Sequence, residues 1–239
     1  MPNHCKNTIT ITGEKGYLED FIHFHLTDMK KPLDTDDLSK NDFIDFSFNS
    51  VLPRPAELEG ISTGSTMIDG VRHKVWRGGF DDAVAISAEE QYQLISDYGH
   101  TNLYDWCIAN WDTKWDAYDY ELHTPLNIML FQQPVFVPYN DATTYGMEGK
   151  APFYMLEMSF TTAWSTPENV LRVLSCQNPR LLICTKWREE GGMEGELVFI
   201  GGNRLHEASR QSGYELHDMT RYWAEDDLRR LADKDYKEE

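Results

Sequence analysis

Basic residues are in short supply. Only 22 Lys and Arg stand against 40 Asp and Glu, a formal net charge of −18 over 239 residues. Such a surface repels phosphates and anionic lipid, so nucleic acid is a disfavoured partner. Long apolar runs are missing too. No 18 consecutive residues are apolar, so no membrane partner and no spanning helix are expected. The opening MPNHCKNTITITG lacks the basic and apolar regions of a secretory signal. Cysteine is sparse: Cys5, Cys107, Cys176 and Cys184 are scattered without C-x-x-C spacing. That pattern predicts reduced thiols in a cytoplasmic protein rather than a disulfide framework or a zinc site. G-x-S-x-G, the phosphate-binding P-loop and a dinucleotide fingerprint are all absent. The motifs therefore predict no catalytic residue, no cofactor and no metal.

What the chain does contain is apolar and aromatic mass: 41% hydrophobic and 13% aromatic residues, enough to bury a sizeable core. The length suits one large domain, or a small one carrying a big insertion. Three of the seven Trp fall in YDWCIANWDTKWD, residues 104–116. Read as a helix, Tyr104, Cys107, Ile108, Trp111 and Trp115 form one apolar stripe, with Asp105, Asp112 and Asp116 off it. Each buried aromatic removes about 150–250 Å² from water, so the fold or a partner must cover this segment.

In chain order, NTITIT (7–12) alternates as a strand ending at Gly13, and 16–26 carries Leu18, Phe21, Ile22 and His25 at helical spacing. Residues 30–41 read as a loop. Residues 42–52, with Phe46 and Phe48 alternating against Ser47 and Asn49, predict a second strand stopped by Pro53 and Pro55. Residues 57–79, rich in Gly, Ser and Thr, predict irregular chain. A helix follows, with Ser87 and Glu90 as a capping box and Gly99 as its stop. Between 118 and 144 Pro125, Pro134 and Pro138 limit regular structure to an irregular edge strand in MLFQQPVFVPY. PFYMLEMSFTTAW (152–164) is the strongest strand; Ser165 is expected to cap the helix after it, with Pro167 in the first turn and Val170, Leu171, Val173 and Leu174 buried. Strands at 180–189 and 194–200 pair as a hairpin across Gly191-Gly192, and a charged terminal helix starts near Leu216.

Without its middle, the order is β-α-β, β-α-β. This predicts an α+β fold: a ferredoxin-like, split β-α-β antiparallel sheet with helices on one face. A large, partly helical insertion lies between the second and third strands. The expected division is a ferredoxin-like domain of 1–55 and 150–204, an inserted acidic, Trp-rich lobe of 56–149, and a helical extension of 205–239.

Four segments, MPNHCKNTITITG, FSFNSVLPRPAEL, YDWCIANWDTKWDA and FTTAWSTPENVLRVLS, together resemble the phage- and plasmid-borne Api-ninety-two-like family, from residue 1 to about 202. The chain departs from that pattern with His4 where Trp is usual and Asp112 where Gly is usual. The resemblance implies a ferredoxin-like domain, a mobile-element origin and a bacterial cytoplasmic setting, and implies no catalytic residues.

Several constellations have a bland reading and a sharp one. His4, Cys5 and Cys107 match no zinc spacing and read as core thiols and a lone imidazole. His23 and His25 point to different sides of one helix. Phe46, Phe48 and Tyr154 are candidates to stack bases on an open sheet, yet Asp42, Asp45 and Glu157 surround them and core packing is the simpler reading. Arg72, His73, Lys74 and Arg77 around Trp76 form the one basic aromatic patch. Between residues 81 and 121 ten carboxylates face only Lys114; this is a solvated face, or a docking surface for a basic host protein. On the second reading Asp97, Tyr104, Asp105, Trp106, Asp112, Asp116 and Asp119 contact the partner. The leading expectation is a phage- or plasmid-encoded, non-enzymatic, acidic interaction protein that binds a basic host protein as a host-takeover or anti-defence factor; where that partner is a nuclease or restriction factor, the face mimics the charge of DNA. A metal-dependent enzyme acting on nucleotides or nucleic acid, and an RNA or single-strand binder on the sheet face, are the alternatives.

Overall fold

The computed structural model describes residues 3–28, 30–31, 34, 42–79, 81–123 and 154–211. Strand β1 (His4–Gly13) turns its Cys5, Asn7, Ile9 and Ile11 inward and its threonines outward. Helix α1 (Lys15–His25) follows and buries the expected Leu18, Phe21, Ile22 and His25. Residues 42–52 do not form the expected strand. They make one bridge, Thr27 to Phe43, and a 3-10 turn at Phe48–Ser50. The alternation was real but served a different purpose: Phe46 and Phe48 both enter the core from a strap lying across it.

Residues 57–79, expected to be irregular, contain a hairpin. Its strands are β2 (Ile61–Ile68) and β3 (Val71–Arg77), and the short β4 (Val84–Ala85) completes a three-stranded sheet. The turn is Asp69-Gly70, with φ of 51° and 77°. Two left-handed residues give the twist that closes a two-residue hairpin, and Asp-Gly suits it. Helix α2 (Ala88–Tyr98) starts at Ser87, whose Oγ accepts the Glu90 N–H, and stops at left-handed Gly99, as expected. Helix α3 (Leu103–Trp111) is shorter than the predicted stripe, because Asp112 turns left-handed at φ 61°. Strand β5 (Tyr118–Leu122) comes next.

Strand β6 (Tyr154–Ala163), helix α4 (Glu168–Gln177), and strands β7 (Leu182–Glu189) and β8 (Met193–Ile200) fall where the sequence placed them. Ser165 does not cap α4; Pro167 occupies the cap position, and the Ser165 hydroxyl donates to the Asp112 carbonyl instead. Strand β9 (Asn203–Gln211) was not expected, and it crosses the anticipated start of the extension at 205. The turn into it brings Gly202 against Cys176, where an added Cβ would collide with the thiol. The edge strand expected in 129–139 and the terminal helix from 216 lie outside the described residues.

The large sheet has the order β5-β6-β1-β7-β8-β9, antiparallel throughout. Its register puts Ile9 opposite Met158 and Thr185, and Ile11 opposite Leu156 and Ile183. These residues share one face, and both α1 and α4 cover it. The chain is thus α+β, with antiparallel sheets and few helices. One apolar cluster runs from this face through Phe46, Phe48 and Leu58 to Ile86, Leu94, Trp106 and Trp111. Among the described residues no helix is long and apolar enough to cross a membrane.

Candidate functional site

The acidic stretch divides into two populations. Of its ten carboxylates between residues 81 and 121, Asp112 and Asp116 are partly buried and the other eight are exposed. Helix α2 buries only Leu94. Its outer side shows Tyr92, 75% exposed, and Ile95, beside exposed Glu89 and Asp97. Glu90 reaches back to Arg77 at 3.1 Å, so the basic patch on β3 is partly neutralised by the acidic stretch beside it. Trp76 is buried beneath the small sheet and offers no ring to a base.

The predicted contact residues scatter between surface and scaffold. Asp97 is exposed and accepts from Gln93 at 2.8 Å. Tyr104 is exposed, and Asp119 is exposed at φ 50°. Asp105 is exposed but exchanges hydrogen bonds with the α3 cap: its N–H donates to Asn102 Oδ1 at 2.9 Å and its Oδ2 accepts from Asn102 Nδ2 at 2.6 Å. Trp106 is buried against Trp111, so it is core rather than an anchor for a partner.

Asp112 and Asp116 are structural. Asp112 Oδ2 accepts the Asn169 N–H at 2.7 Å, in the first turn of α4, where a carboxylate complements the helix dipole. Burial raises its pKa, opposed by that N–H and by Arg172. Asp116 accepts the Phe48 N–H at 2.7 Å and the Ser47 hydroxyl. It pins the strap that carries Phe46 and Phe48. Trp111 Nε1 donates to the Leu52 carbonyl at 2.9 Å and fixes the strap's other end. The 104–116 segment is therefore a clasp on the core. Its Trp115, Tyr104 and Ile108, expected to be covered, are exposed.

Among the described residues no group of three or more His, Cys, Asp or Glu is placed to hold a metal. Cys5 and Cys107 are buried thiols, with pKa values pushed up to about 12 and about 11, chiefly by burial. Phe46 and Phe48 lie in the core and Tyr154 packs against it, so these three rings do not form an open stacking surface. The opposite face of the sheet carries exposed Lys6, Lys186 and Arg188 without those rings.

One cluster was not anticipated. Lys114, just past α3, sits with Nζ 3.1 Å from the centroid of Trp164 and 5.6 Å from that of Trp115. The sequence signal was the lone base in an acidic run; nothing local connected it to Trp164, fifty residues away.

No family model matches the chain, and no curated protein matches it. Among solved structures it is similar to the crystal structure of a protein api92 from Yersinia pseudotuberculosis, described with the family model DUF1281. That likeness is 12% identical, with a TM-score of 0.43, over 90% of this chain and 100% of that one.

Proposed function

We propose that this is a phage- or plasmid-encoded, non-enzymatic protein of the bacterial cytoplasm that binds a basic host protein through the outer side of α2 and the residues around it. The single observation behind this reading is the eight exposed carboxylates between residues 81 and 121, with aromatic and aliphatic side chains exposed among them. Like charges concentrated on a surface raise the encounter rate with an oppositely charged one, and exposed Tyr supplies the anchoring area. The contact set is revised to match: Glu89, Tyr92, Ile95 and Asp97 on α2, with Tyr104 and Asp119, in place of Asp105, Trp106, Asp112 and Asp116. The mobile-element origin rests on the four resembling segments. We also read the large sheet as a variant of the split β-α-β arrangement, in which β5 takes the edge expected for 42–52.

The test uses the purified chain as bait in a bacterial lysate, followed by direct titration of each captured protein at low and at high salt. The charge variant combines Asp81→Asn, Glu89→Gln, Asp97→Asn and Asp119→Asn, four positions that make no long-range hydrogen bond or ion pair among the described residues. The reading expects one captured protein of basic surface, weakened at least tenfold by the variant and by high salt. Equal binding by wild type and variant would remove it.

A further inference from the structure

We infer that Trp115 and Trp164 form a binding site for an alkylammonium group, occupied in the free protein by Lys114, and that its intended guest is a lysine side chain, plain or methylated, on the partner. This deepens the proposed function and rests on it for the identity of the guest.

The rings are placed for such a guest. A cation over an indole face is attracted by the ring quadrupole, and Trp is the strongest of the aromatic partners. Lys114 Nζ lies within cation–π reach of both rings at once, 3.1 Å from the Trp164 centroid and 5.6 Å from that of Trp115. In a chain with 40 acidic residues it forms no ion pair among the described residues and rests on indoles instead. Trp115 and Trp164 are each 43% exposed, so they are not core residues that merely touch a lysine.

The walls are also built. The Thr113 hydroxyl donates to the Trp115 carbonyl at 2.6 Å, and the Trp164 N–H donates to the Asn3 carbonyl at 2.8 Å. Asp112 ties the two loops together through Ser165 and Asn169. Trp164 holds φ at 78°, a left-handed conformation that a bulky residue rarely adopts. Strain of this kind persists where surrounding bonds over-determine it, and it clusters at ligand sites. The occupant is one long side chain that no hydrogen bond or ion pair holds among the described residues. Its presence lowers the apparent affinity for any outside cation by the fraction of time the site is closed.

The test needs no partner. Choline is titrated against wild type and Lys114→Ala, with 3,3-dimethylbutanol as its uncharged isostere, reading the indole N–H resonances of Trp115 and Trp164. Choline should bind Lys114→Ala at least tenfold tighter than wild type, and at least tenfold tighter than the alcohol binds. Adding Trp164→Ala should abolish it. Equal affinity for choline and the alcohol, equal affinity for wild type and Lys114→Ala, or survival of binding without Trp164 would each overturn the inference. Lys114→Met, which keeps the apolar stem, carries the test if the alanine variant does not fold. Should choline fail while the carboxylate variant still loses its partner, the site is wrong and the acidic face stands.

Discussion

His25 shows how one buried side chain sets a pH limit on the whole fold. Its ring packs against Phe21 and Phe46, and Nδ1 meets Ser50 Oγ at 3.1 Å. Burial lowers its pKa from the usual 6.5 to about 4. The unfolded chain then binds a proton before the folded one does. The stability from the neutral ring is fully present above pH 6.5 and is lost as pH falls through 6.5 towards 4. The loss is about 3 kcal/mol at most. Urea midpoints measured between pH 4 and 7.5 should fall in that window for wild type, and His25→Gln should flatten the slope. Asp112 carries two duties that substitution can separate. Asp112→Gly relieves the left-handed backbone but loses the Asn169 contact, whereas Asp112→Ala loses the contact and keeps the strain. Alanine should therefore be about 1 kcal/mol less stable than glycine at this position by urea denaturation. Equal stabilities would mean that φ at 112 relaxes freely.

At the scale of elements, the strap at 42–52 depends on side chains far away in sequence. Its Phe48 N–H and Ser47 hydroxyl end on Asp116, and its Leu52 carbonyl accepts from Trp111. Asp116→Ala leaves that backbone donor without its partner, at a cost of about 1–3 kcal/mol. Hydrogen exchange at Phe48 should speed up markedly in this variant, while exchange across the β1–β6 pairing stays slow. The strap also explains where sequence reasoning went astray. Alternating Phe46 and Phe48 looked like a strand because period-two burial is common to strands and to any extended chain laid on a core. The 57–79 hairpin was legible but overlooked: Asp69-Gly70 between Ile61–Ile68 and Val71–Arg77 is a strong turn signal, masked by the surrounding Gly, Ser and Thr. Helix α3 ended early because a non-glycine residue took the left-handed conformation, which composition does not announce. By contrast, β1, α1, α2, β6 and α4 were readable from their alternating or helically spaced apolar residues, with Gly13 and Gly99 marking the ends of β1 and α2. Of the candidate contact residues, Asp97, Tyr104 and Asp119 were legible as surface; Asp112 and Asp116 were not, because their partners lie more than fifty residues away.

For the molecule as a whole, the charge imbalance works against compactness, because like charges on one surface repel. Salt screens that repulsion, with a Debye length near 10 Å at 0.1 M. Raising NaCl from 10 to 300 mM should raise the melting temperature of wild type, and should raise that of the fourfold charge variant by less. Identical salt responses would show that the exposed carboxylates are too far apart to matter. A different consequence follows from where the sheet ends. Strand β5 belongs to the middle of the sequence, yet among the described residues it forms the margin of the sheet by pairing with β6. Cutting out residues 56–149 would remove this strand and bare the row of hydrogen-bonding groups on β6 that it covers. A shortened chain lacking that segment should self-associate edge to edge, visible as concentration-dependent oligomers by size-exclusion chromatography.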